Sequence, residues 1–171
     1  MRTGVLTALM IGAALLFGAA AHAQQPAPPA PAAPSAPPDY GSPITNEQAK
    51  AVAAAAFGEA KKNNWRMAFT IVGPTGELVY FEKVDGTQHA SIDISRAKAR
   101  TAVFFRRPSK AFADQYAAGN TAFTTFPEQP VASEGGVLII ANGKIIGAIG
   151  ASGGTGQQDG VAAMAGAGAV K

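Results

Sequence analysis

The sequence predicts an α+β fold, an antiparallel sheet built from two hairpins and flanked by amphipathic helices. Three observations carry that expectation. Two turn signals, Gly73-Pro74-Thr75-Gly76 and Asn142-Gly143, each separate two apolar strand-like runs. Neither pair has room for a crossover helix, so each pairs antiparallel. Apolar residues at helical spacing precede, separate and follow the hairpins, and such helices must bury their faces on the sheet.

The elements follow in chain order. Met1 to Ala23 reads as an export signal: Arg2 starts it, Val5 to Phe17 is apolar, and Ala21-His22-Ala23 has the small-residue cleavage pattern. Cleavage after Ala23 leaves Gln24 first; an uncleaved amino-terminal anchor is the alternative, and either places the domain outside the cytoplasm, periplasmic or secreted. Gln24 to Pro38 is almost all Pro, Ala, Gln and Ser, an extended tether that runs on to residue 43. Residues 44–171 then form one domain, with no membrane span after signal cleavage.

Thr45 caps the first helix, with Gln48 placed as in a capping box, and Ala49, Val52, Ala53, Ala56 and Ala60 share one face. Lys61-Lys62-Asn63-Asn64 ends it with cations at the negative end of the dipole and Asn for a left-handed cap. Trp65–Val72 and Glu77–Val84 make the first hairpin. After Asp85-Gly86 a helix follows whose apolar stripe is Ala90, Ile94, Ala97, Thr101 and Phe104; Pro108 interrupts it. A short helix of about Ser109 to Ala118 starts with Ser109 as cap. Gly119 to Gly136 has no period, the mark of a functional or partner-held loop. Val137–Ala141 and Lys144–Ala151 flank the type I′ turn, and a last helix covers about Gln157 to Val170, capped by Ser152 or Thr155.

Composition excludes several chemistries. The 171 residues contain no cysteine, so disulfides, thiolate catalysis and thiolate metal ligands are absent. A net charge of +3 is too small to argue for nucleic acid. Arg96, Lys98, Arg100, Arg106, Arg107 and Lys110 nevertheless cluster, either as a solvated helix face or as a site for an anionic ligand or protein partner. A serine triad lacks its nucleophile elbow, and no histidine pair has zinc spacing. The glycines from Gly143 to Gly160 lack the Lys-Ser/Thr ending of a phosphate loop and follow a hairpin rather than opening a βαβ unit. They read as scaffold: Gly147 and Gly150 for close approach, Gly153, Gly154 and Gly156 for positive φ.

The ordered motifs Val72-Gly73-Pro74-Thr75-Gly76, "EKVDGTQHASIDISRAKARTA", "EGGVLIIANGKIIGAIGASGG" and "QQDGVAAMAGA" resemble the GlcG/HbpS family over nearly all of Thr45–Lys171. One position departs: where the family often has an acidic residue after the Gln158-Asp159 pair, this chain has Gly160. The resemblance implies haem binding or haem degradation and a homo-oligomer. Haem needs an apolar slot, an axial ligand and cations for its propionates. Residues 24–171 hold one histidine, His89, the candidate iron ligand, followed by Arg96 and Arg100; Tyr116, Tyr80, Met67 and Met164 are the alternatives. Lys98, matched to the family pattern, is expected to pair with Asp85 or Asp93, in the site or in a surface salt bridge. The expected function is an exported haem carrier, buffer or sensor component. A haem-free interaction module, or an enzyme acting on haem or a small organic acid, is the other reading; no acid/base pair marks a catalytic residue.

Overall fold

The computed structural model describes residues 36–171; the expected export signal and most of the expected tether lie outside the described residues. The chain runs α1 (Asn46–Lys62), β1 (Ala68–Val72), β2 (Leu78–Lys83), α2 (Ala90–Phe105), α3 (Lys110–Ala117), a 3-10 turn (Ala122–Thr125), β3 (Gly136–Ala141), β4 (Lys144–Ser152) and α4 (Gly156–Ala167). Both hairpins form where the turn residues require them. Gly76 has φ 78°, and Asn142 and Gly143 have φ 51° and 73°, as a type I′ turn demands. α1 and α4 each begin with a reciprocal capping box, Thr45 with Gln48 and Thr155 with Gln158.

The two hairpins lie side by side in one antiparallel sheet of order β2-β1-β4-β3. Helices cover both faces, and this explains why β1 is buried along its whole length despite a sequence that alternates like a half-exposed strand. On one face α1 and α4 enclose Met67, Phe69, Ile71, Ile139 and Ile149. On the other, α2 packs on Val72, Ile145 and Ala148 through Ala99, Ala102 and Val103.

α2 departs from the expected stripe. Ala90 and Ile94 are exposed, and the buried face is Ser91, Ser95, Lys98, Ala99, Ala102 and Val103, with Thr101 beside it. The polar members are matched from the sheet: Ser95 Oγ lies 2.8 Å from Thr70 Oγ1, and Ser152 donates to Ser91 across 3.2 Å. Gly136, Gly150 and Thr70 form one row across β3, β4 and β1. A Cβ on Gly150 would run into the Ser95 carbonyl, and one on Gly136 into the Lys98 carbonyl. The helix backbone therefore rests directly on glycine, a contact that no side chain permits.

Three local expectations also change. Ser109 stands at the start of α3 without capping it; its hydroxyl donates to the Ser133 carbonyl and accepts the Gly136 N–H. Of Gly153, Gly154 and Gly156, only Gly153 has positive φ. The end of the tether, Asp39–Ile44, is ordered along β4: Ile145 donates to the Asp39 carbonyl, Gly41 to that of Ile145 and Ile44 to that of Ile146.

Candidate functional site

The long loop before β3 is held by aromatic stacking. Phe105 stacks on Phe126 and meets Phe112 edge to face, Phe112 meets Phe123 the same way, and the four rings wall a cleft of about 270 Å³ that Arg107 also lines. Val131 N–H donates to buried Thr101. The loop thus returns to Gly135 beside α2.

There lies the most buried charge of the domain. Lys98 Nζ is 2.7 Å from Asp159 Oδ2, and the two residues are 1% and 2% exposed. Asp159 Oδ1 also accepts the Gly154 N–H at 2.9 Å. The expected partners, Asp85 and Asp93, are exposed residues. Asp159 displaces them because the buried face of α2 turns Lys98 inward, toward the first turn of α4. Gly135, at φ 126°, runs over the pair: a Cβ there would lie 3.1 Å from Lys98 Nζ. The ion pair thus ties α2 to α4, with Gly135 of the loop lying over it.

Gly160 has a specific occupant. Glu134, reaching from the loop, fills the space that a side chain at 160 would take. A small apolar pocket of about 170 Å³ opens beside it, between Pro108, Val137 and Met164, with Lys110 and Glu134 as its charged groups. Asp114 hydrogen-bonds Lys110 and raises its ammonium above the ordinary lysine range.

The other expected site residues are distributed over the surface. His89 is exposed at the start of α2 and makes no capping hydrogen bond. His89, Arg96 and Arg100 recur at helical spacing along one outer line of α2, with Asp93 between them. Arg100 pairs with Glu128 at 3.1 Å and lies over the Phe104 ring. Lys98 leaves this group, since it points into the core. Tyr116 is 58% exposed on α3. Among the alternative iron ligands, Met67 is core, Tyr80 is half-buried and Met164 is exposed.

Sequence reasoning missed one cleft. The end of α1 and the start of β1 bring Phe57 and Trp65 together with Lys61 and Arg66 around about 360 Å³, closed by Val84 and Asp85 at the end of β2. Its only sequence signal was the mixing of aromatic and basic residues between positions 57 and 66. Among the described residues, no three His, Asp or Glu side chains converge as a metal cluster, and no helix is long and apolar enough to cross a membrane.

Comparison with known proteins agrees with this architecture. The GlcG protein of Escherichia coli strain K12 is 38% identical over 109 residues, 64% of this chain and 81% of its own. A crystal structure of Streptomyces reticuli HbpS, a double mutant, superposes with a TM-score of 0.70 at 28% identity, covering 85% of this chain and 99% of that one. The PduOC:Heme complex shares the fold, with a TM-score of 0.69 at 21% identity, covering 75% and 96%. Residues 44–168 match the family described as "Haem degrading protein HbpS-like". With its glycine-floored α2 and its motifs in order, the chain belongs to the GlcG/HbpS family.

Proposed function

We propose that this chain is an exported haem-binding protein that serves as a carrier, buffer or sensor component. Membership of a family described by haem degradation supports the reading, as does a fold relative solved with heme. The observation that carries it is the outer line of α2: an exposed imidazole, His89, followed on the same line by Arg96 and Arg100. The imidazole is a haem-iron ligand and the guanidiniums match propionates. Exposed Ile92, four residues before Arg96 on the same helix, adds apolar surface. Iron redox and ligand chemistry belong to the haem when bound. The chain's part is to hold the group, with Lys98 and Asp159 fixing α2 from beneath rather than touching ligand.

Haem titration of protein spanning residues 24–171, followed by absorbance, tests this. Saturation at a defined ratio is expected, with the Soret band altered in His89→Ala and affinity lowered several-fold in Arg96→Ala/Arg100→Ala. A spectrum identical to free haem throughout would reject haem binding. A His89→Ala spectrum equal to wild type would move the ligand to Tyr116 or Met164, both exposed. Export is tested separately by the amino terminus of the secreted protein, expected at Gln24.

A further inference from the structure

The cleft at the end of α1 is built by two tight turns. Asn64, at φ 57°, closes α1: its N–H donates to the Lys61 carbonyl, and the Trp65 N–H donates to that of Ala60. This left-handed ending occupies two of the last carbonyls of the helix and turns Trp65 back toward it. Phe57, Trp65 and Val84 are half-buried; each packs against the core and also lines the cleft. The walls are thereby fixed, and the space of about 360 Å³ that they enclose suits one aromatic ring with a short substituent.

Arg66 is held at the same cleft from two sides. Gly153, at φ 148°, packs on its carbonyl, and its guanidinium crosses Gly86, where a Cβ would lie 3.0 Å from Nη1 and 3.4 Å from Cζ. Gly86 itself has φ 76°, so the Asp85-Gly86 turn needs glycine both for its backbone and for the arginine above it. Lys61 also lines the cleft. Among the described residues neither cation forms an ion pair, although neighbouring Lys62 takes Glu59 and Asp85 lines the same cleft. Two cations and one carboxylate leave an excess of positive charge beside an indole and a phenyl ring.

We propose that this cleft binds a small aromatic carboxylate. The ring of the ligand packs on Phe57 and Trp65, and its carboxylate meets Arg66 and Lys61, a planar acceptor for a planar donor. Asp85, exposed in its turn, carries the same sign as the ligand and opposes binding. The cleft shares no residue with the outer line of α2. The inference therefore goes beyond the haem reading, and haem-free protein serves for its test.

Trp65 is the single tryptophan of the chain, so its indole N–H gives one cross-peak in a nitrogen–proton correlation spectrum and reports on the cleft. Titration with benzoate is expected to shift that peak saturably. Benzylamine has the ring with the opposite charge, and acetate has the charge without the ring; each is expected to bind about tenfold more weakly or worse. Arg66→Ala and Lys61→Ala are expected to weaken benzoate binding several-fold and Asp85→Asn to tighten it. The backbone cross-peaks of all three variants should stay in place, because these side chains are exposed. No saturable shift with benzoate, benzylamine binding as tightly as benzoate, or an Arg66→Ala protein that binds like wild type would overturn the proposal. A failed benzoate titration leaves haem binding untouched, and a failed haem titration leaves this site standing.

Discussion

At the scale of single residues, the decisive feature is a charge taken out of water. Lys98 and Asp159 are each almost fully buried, and desolvation offsets much of their attraction. Removing one partner is expected to be severe: Lys98→Met leaves the Asp159 carboxylate buried alone and should cost about 3–5 kcal/mol in urea unfolding. Gly150→Ala should cost on the order of 1–3 kcal/mol by the same measurement, because its methyl meets the Ser95 carbonyl on α2. Lys110 behaves differently, being solvated. Its pairing with Asp114 raises its pKa, so that contribution is complete below the ordinary value of 10.5 and is lost as pH climbs past the raised one. The stability difference between wild type and Asp114→Asn should thus be constant through neutral pH and shrink only in strong alkali. Lys98 was legible as a matched position, but its partner was not. Asp159 is 61 residues away in sequence, and only the rotation of α2 selects it over nearer carboxylates.

At the scale of elements, the caps and turns are local chemistry and were readable. Thr45 and Thr155 close their capping boxes as spaced, and Asn142-Gly143 supplies the two positive φ values of its turn. Thr155→Ala is expected to cost about 1 kcal/mol, measured by thermal unfolding, since α4 then begins with an unmet N–H. The buried face of α2 was not readable from hydrophobicity. Its serines and lysine are inside because Thr70, Ser152 and Asp159 meet them, whereas Ile94 is outside. Polar residues can form a core face when each finds a partner, and an apolar period cannot report that. Ser109 follows the same logic: its hydroxyl serves the loop at Ser133 and Gly136 in place of its own helix.

For the domain of residues 36–171, long-range clasps set the arrangement. Tyr40 donates its hydroxyl to the Val103 carbonyl at 2.8 Å, while Arg106, at φ 48°, holds the Pro38 carbonyl and lies near Asp39. The end of the tether is thereby fastened to the last turn of α2. Tyr40→Phe should lower stability by about 1 kcal/mol and speed amide exchange at residues 39–44. The phenylalanine cluster orders the loop that reaches Glu134 and Gly135, so the small pocket near Gly160 depends on it. The candidate haem-binding line, by contrast, belongs to one helix: His89, Arg96 and Arg100 share it through spacing alone.

The sequence by itself determined the two hairpins, the helices around them and the family, and it offered His89, Arg96 and Arg100 as candidates close together in the chain. Each depends on residues close in the chain or on motifs in linear order. The tertiary structure decided which side of α2 is buried, that Lys98 meets Asp159, and that Glu134 fills the space over Gly160. These depend on which elements cover which faces, a competition among distant segments for the same surface. Local periodicity carries no term for it.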